Sequence, residues 1–119
     1  MLAWAHGVDP TTLFLSAITI LELEERALRL KRRNPSRAAT VEHWIRASIL
    51  PSFASRILPF DERVALRCAS LHVPNTRPER DAMIAATALV HRLTVVTRNV
   101  RDFAPMDVPV LNPWEDRHA

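Results

Sequence analysis

Apolar and polar positions change period several times along this chain, and each change marks an element. Leu13 to Thr19, LFLSAIT, is a short, mostly apolar run that follows Asp9-Pro10-Thr11-Thr12. Its length and composition predict a strand buried on both faces. From Ile20 the period lengthens. Ile20, Leu23, Ala27 and Leu30 recur at helical spacing with charges between them, so ILELEERALRLKRRN predicts an amphipathic helix. Asn34-Pro35 ends it. A second helix is expected from Ser36, a candidate N-cap, to Leu50. Val41, Trp44, Ile45 and Ile49 form its apolar stripe, and Pro51 interrupts it.

Farther on, RILPF reads as a short strand or an extended link. DERVALRCASLH predicts a helix capped by Asp61, with Val64, Cys68 and Leu71 inward. VPNTRPER, with two prolines, is a turn-rich loop. DAMIAATALVHRL gives the clearest helix: Ala82, Ala85, Ala86 and Leu89 share its inward face, and small side chains permit close packing on a sheet. TVVT reads as a buried strand and PVLNPW as a final strand stopped by Pro113. At the other end, MLAWAHGV reads as a helix. Apolar strands separated by amphipathic helices predict an α/β sandwich with a mainly parallel sheet. No repeat or interdomain linker breaks the 119 residues, which favour a single domain with one core.

Composition narrows the class. Apolar residues make up 48% of the chain and charged residues 24%, a globular balance rather than a disordered one. The single cysteine, Cys68, excludes an internal disulfide framework and any multi-cysteine metal site, and reads as a packed thiol in a reducing compartment. No apolar run reaches membrane-spanning length, and the N-terminus lacks a signal-peptide pattern. The expectation is a cytoplasmic protein with no membrane role. A net charge of +3 and a pI of about 10.4 permit a polyanionic partner without requiring one.

In open parallel sheets, sites form beyond the carboxyl ends of strands. Glu22 follows LFLSAIT, Asp102 follows TVVT, and Asp81 opens the helix that feeds TVVT. Clustered carboxylates repel one another unless a cation lies between them. Mg²⁺ and Mn²⁺ take oxygen ligands and can promote attack of water on a phosphodiester. Each acid also has a plainer reading. Asp81 suits the helix dipole, Glu22 stands beside Glu24 and Glu25 as one of several helix charges, and Asp102 suits a cap with the turn residue Asn99 near it. The five histidines show no zinc spacing, and one glycine, Gly7, cannot build a phosphate-cradling loop. The basic run Arg29 to Arg37 suits RNA, an acidic partner or a solvated helix end.

Taken together, LFLSAITILELE, RILPFDERVALRCASLHVP, RPERDAMIAATALVHRLTVVTRNVRDF and VLNPW resemble the PIN-domain toxins of bacterial toxin–antitoxin pairs, the VapC and FitB kind. The resemblance runs from Leu2 to Trp114, and RDAMIAATALVHRLTVVTRN-x-x-DF is its most specific part. It implies a three-layer α/β/α fold with a central parallel sheet. It also implies an endoribonuclease dependent on Mg²⁺ or Mn²⁺, an RNA substrate, a VapB-like antitoxin partner and a homodimer. Glu22, Asp81 and Asp102 match the family's metal-holding acids, and Asn99 the polar residue that orients water, phosphate or acid. On this resemblance Thr97 is expected to add a hydroxyl there, and Arg98 and Arg101 to steer phosphate. The family also begins with a strand ending in Asp-Thr-Asn, ahead of the point where this sequence starts. The expectation is a PIN-like domain over residues 1–119 lacking that strand and its acid. Either the start of the reading frame was placed too late, which is favoured, or the protein is a truncated version. A second departure is Leu21, where many relatives carry glycine.

Three function classes therefore compete. The first is a ribonuclease toxin. The second is a catalytically impaired PIN domain that binds antitoxin without cutting RNA. The third, a general nucleic-acid binder, ranks last, because a chain with no Tyr and few Phe or Trp has no ordinary stacking platform.

Overall fold

In the computed structural model, which describes residues 10–116 except the side chains of Pro10, Glu115 and Asp116, Ser16 decides where the first strand stops. Strand β1 covers only Leu15–Ser16 of the run expected to extend to Thr19. The Ser16 hydroxyl accepts the Ile18 N–H at 3.0 Å, which caps helix α1, Ala17–Lys31, at once. Of the expected inward face, Ala27 is fully buried and Ile20, Leu23 and Leu30 are half-buried.

Asn34, rather than Ser36, caps the next helix. Its side chain accepts the Arg37 N–H, and Pro35 takes the first helical position of α2, Pro35–Trp44. Pro51 does not stop this helix at Leu50 as expected. It has no N–H to donate, and its ring would crowd the carbonyl four residues back. The chain relaxes into a wide π turn over Ile45–Ile49, where the Leu50 N–H reaches the Ile45 carbonyl, and one more turn runs to Ser52. Ile45 is buried, whereas Trp44, expected in the same stripe, is 46% exposed. RILPF is resolved as strand β2, Ile57–Leu58, parallel to β1 with Leu15 opposite Ile57. These elements form one compact unit, Phe14–Pro59.

The other unit holds the described residues from Phe60 on. Asp61 caps helix α3, Glu62–Leu71, by accepting the Val64 N–H at 3.1 Å. Val64, Cys68 and Leu71 turn inward as the periodicity requires. Helix α4, Glu79–His91, starts two residues ahead of Asp81. Its face of Ala82, Ala85, Ala86 and Ala88 is buried in the same core cluster as the α3 residues, while Leu89 is half-buried at the edge of that cluster. Burial, then the Glu79 charge, pushes the Cys68 thiol up, and the side chain is packed in the core as the sequence suggests.

Helix α4 ends in a Schellman pair of bonds, Leu93 N–H to the Ala88 carbonyl at 2.8 Å and Arg92 N–H to the Leu89 carbonyl at 3.3 Å. Arg92 takes the left-handed conformation this requires, with φ 57°. The reversal delivers the chain into β3, Val95–Val96, which pairs in parallel with β4, Val110–Leu111. Between them lie the short helix α5, Val100–Phe103, and a turn of 3₁₀ helix; Phe103, Met106 and Val108 return to the core cluster. Pro113 does not merely stop the last strand but opens α6, Pro113–Asp116. Every described strand pairing is parallel, in keeping with the expected α/β class. The expected MLAWAHGV helix lies outside the described residues. No helix among the described residues is long and apolar enough to cross a membrane.

Asp61 carries the start of α3. Replacing Asp61 with Ala should cost about 1 kcal/mol and lower the melting temperature by a few degrees, measured by thermal unfolding. Replacing the neighbouring exposed Glu62 with Ala should do less.

Candidate functional site

The predicted site residues fall on both units. Glu22 lies in the second turn of α1, in the Phe14–Pro59 unit, and is half-buried. The choice among Glu22, Glu24 and Glu25 left open by the sequence narrows here. Glu24 takes Arg46 in a two-pronged bond, at 2.6 and 3.1 Å, and Glu25 pairs with Arg29 at 3.2 Å. The Arg46 hydrogen bond holds the Glu24 carboxyl below the usual range. Glu22 has no ion pair among the described residues, so it is the acid of the three with no structural cation assigned to it.

The remaining candidates share the other unit. Asp81 is the third residue of α4, half-buried, in a first turn that receives no side-chain cap from Pro78. Asp102 is exposed in α5, and its own N–H bonds the Asn99 carbonyl at 3.1 Å. The two acids are close enough to feel each other. Burial first, and the Asp102 charge second, hold the Asp81 carboxyl above its ordinary value. Asp102 does not cap its turn. That part falls to Thr97, whose hydroxyl accepts the Asn99 N–H at 3.0 Å.

This turn stands at the carboxyl ends of β3 and β4, where the Thr97 N–H also bonds the Leu111 carbonyl at 3.0 Å. A cleft of about 570 Å³ opens there, lined by Arg98, Asn99, Val100, Arg101, Asp102 and Asn112. The lining is mixed: arginine and amide donors share one space with a carboxylate. The Arg98 guanidinium lies over the Trp114 ring, 4.7 Å from its centroid. Asn112 and Trp114 were not singled out from the sequence, where VLNPW read as a strand with its stop. The available signal was Asn-Pro directly after a strand, the signature of a capped helix start. Indeed the Asn112 side chain accepts the Trp114 N–H at 3.0 Å.

The donors suit a hard cation. Asp81 and Asp102 offer only oxygen, and their mutual repulsion is relieved by a positive charge between them. Among the described residues, no group of three or more His, Cys, Asp or Glu side chains converges tightly enough to enclose a metal. Two carboxylates suit an ion of the Mg²⁺ type, which keeps several waters and shares the rest of its shell with substrate phosphate. The basic run is exposed at Lys31, Arg32, Arg33 and Arg37, where α1 gives way to α2.

Comparison with known proteins gives the family and the fold. The family described as PIN domain matches residues 2–108. Toxin FitB of Neisseria gonorrhoeae is 40% identical over 121 residues, covering 98% of this chain and 86% of that protein. VapC ribonuclease Y4jK of Sinorhizobium fredii is 32% identical over 120 residues, covering 97% of this chain and 84% of its own length. The crystal structure of FitAcB from Neisseria gonorrhoeae superposes with a TM-score of 0.86 at 39% identity, over 95% of this chain and 84% of that one.

Asp81 yields a stability test. Its folded-state pKa is raised, so the folded protein binds the proton more tightly than the unfolded chain. The stability this contributes is complete below the unfolded value of about 3.9 and is lost as pH rises through the folded value. In metal-free protein near neutral pH, Asp81→Asn should therefore raise the melting temperature. The gain should disappear as pH falls below about 4, measured by thermal unfolding in a chelating buffer.

Proposed function

This chain belongs to the PIN-domain family, and on that premise we propose that it is the toxin of a type II toxin–antitoxin pair, a metal-dependent endoribonuclease that hydrolyses RNA phosphodiesters. The observation that carries the reading is the cleft at the carboxyl ends of two parallel strands, where Asp102 shares one lining with Arg98, Asn99 and Arg101. The proposal takes residues 1–119 as one domain, since the family match spans both units.

Asp81 and Asp102 would hold the divalent cation, Mg²⁺ or Mn²⁺. Glu22 is assigned to the same set from the family pattern and from its lack of an ion pair, not from a distance. When bound, the metal supplies Lewis acidity toward phosphate oxygen and a lowered pKa for water. The protein's own residues do the rest. Arg98 and Arg101, exposed on the cleft lining, offset the phosphate charge that the acids would otherwise repel. Thr97 holds the turn by accepting the Asn99 N–H, which keeps Asn99 and Asp102 on one cleft wall. Its hydroxyl proton remains available to a phosphate oxygen. The Asn99 side chain caps nothing and is free to orient water or phosphate.

On this reading the chain has an antitoxin partner, which the structural neighbours FitAB and FitAcB support, and assembles as a homodimer. Exposed apolar side chains on α2 and α3, Trp44 at 46% and Leu66 at 74%, supply surface for such assembly.

Cleavage of a labelled single-stranded RNA in Mg²⁺ or Mn²⁺ tests the reading. Asp81→Asn and Glu22→Gln should each lose on the order of 10²–10³-fold in rate, the scale of one transition-state electrostatic group. Chelation should match them. Equal rates for wild type and Asp81→Asn would remove the assignment. A wild-type chain that is silent on RNA but binds antitoxin would support the binding-only alternative.

A further inference from the structure

The cleft beside Asp102 has a cationic side whose geometry the acids do not explain. Arg98 is exposed and has no carboxylate partner among the described residues, yet its guanidinium lies on the Trp114 indole, 4.7 Å from the ring centroid. Trp114 does not line the cleft. Its main chain is held by its neighbours: Pro113 is fully buried, and the Trp114 backbone N–H is bonded to the Asn112 side chain at 3.0 Å. The backbone that carries the indole is thus anchored beside the cleft. A guanidinium stacked on an aromatic face keeps its five N–H donors in the plane, free to meet an anion, while its long stem loses rotamer freedom in advance. The Asn112 side-chain oxygen accepts the Trp114 backbone N–H, and its amide group adds two N–H donors to the cleft it lines.

We propose that Trp114 is a positioning residue that holds Arg98, with the Asn112 amide, for an RNA phosphate next to the one cleaved. The inference rests on the ribonuclease reading and deepens it. The phosphate is a neighbouring one because Asp102 lines the same cleft, and its charge makes the acid side the place for the metal and the scissile group. The Arg98 and Asn112 side takes the backbone of an adjacent nucleotide. The segment after β3 thus supplies both the Asp102 acid and the Arg98 cation, and the segment after β4 supplies the Asn112 amide and the Trp114 ring that positions Arg98.

Equilibrium binding of a labelled single-stranded RNA, followed by fluorescence anisotropy across a salt series, tests this in an Asp81→Asn background where RNA is not consumed. Trp114→Leu and Arg98→Ala should each weaken binding roughly fivefold, the scale of one exposed cation–π contact. Each should also lower the slope of log affinity against log salt by about 0.7, one single-strand phosphate. The double variant should be no weaker than Arg98→Ala alone, and Trp114→Phe, which keeps an aromatic face, should restore most of the loss. A merely structural tryptophan would leave the salt slope unchanged, and that result, or strictly additive losses, would overturn the proposal. If Trp114→Leu does not fold, the exposed Arg98→Ala variant still decides, since a parental slope for it overturns the proposal alone. A parent protein that binds no RNA at any salt, alongside a wild type that cuts none, would overturn the ribonuclease reading and this inference with it.

Discussion

Partial burial of Asp81 near the end of a parallel ladder holds its carboxyl above the ordinary value, and the like charge of Asp102 adds to that effect. A solvated acid could turn away at little cost. Asp81 has less freedom, because it sits in the first turn of α4, whose alanine face is fixed in the core. Close packing of small side chains leaves such a helix little room to shift, so the acid's position is set by the core rather than by its own contacts.

The same core sets the other partner. The Schellman end of α4 reverses the chain at Arg92 and feeds it into β3, and β3 ends where Thr97 closes the turn that carries Asp102. Phe103, directly after Asp102, is buried with the α4 alanines. One acid is thus fixed by the start of a helix and the other by an anchored turn after the following strand. Under the proposed function, a divalent cation held by both would relieve the charge that raises Asp81 and so link the stability of this unit to its chemistry. The cleft beside them combines donors and an acid, a mixture suited to a metal and a polyanion together and poorly suited to either alone.

Much of this was legible in the sequence where local chemistry is decisive. Asp61 as a cap, the inward set Val64, Cys68 and Leu71, and the Ala82, Ala85 and Ala86 face follow from periodicity and a single side-chain hydrogen bond. Local signals misled where two of them competed. Ser16 lay inside an apolar run that reads as strand, yet its hydroxyl starts a helix. Asn34 read as a terminator and is also the next helix's cap. Pro51 read as a stop, but the chain absorbed it by widening the turn ahead of it.

By itself the sequence determined the main helices and strands, the family pattern and the acids worth considering, because periodicity, caps and motif spacing act over a few residues. Tertiary structure decided which acids interact and which are already spent. Arg46, 22 residues from Glu24, neutralises one of three neighbouring glutamates, and no local pattern announces such a partner. The stacking of Arg98 on Trp114 is likewise a contact between residues at the ends of two different strands. It exists because the β3–β4 pairing, Val96 opposite Leu111, brings those ends together.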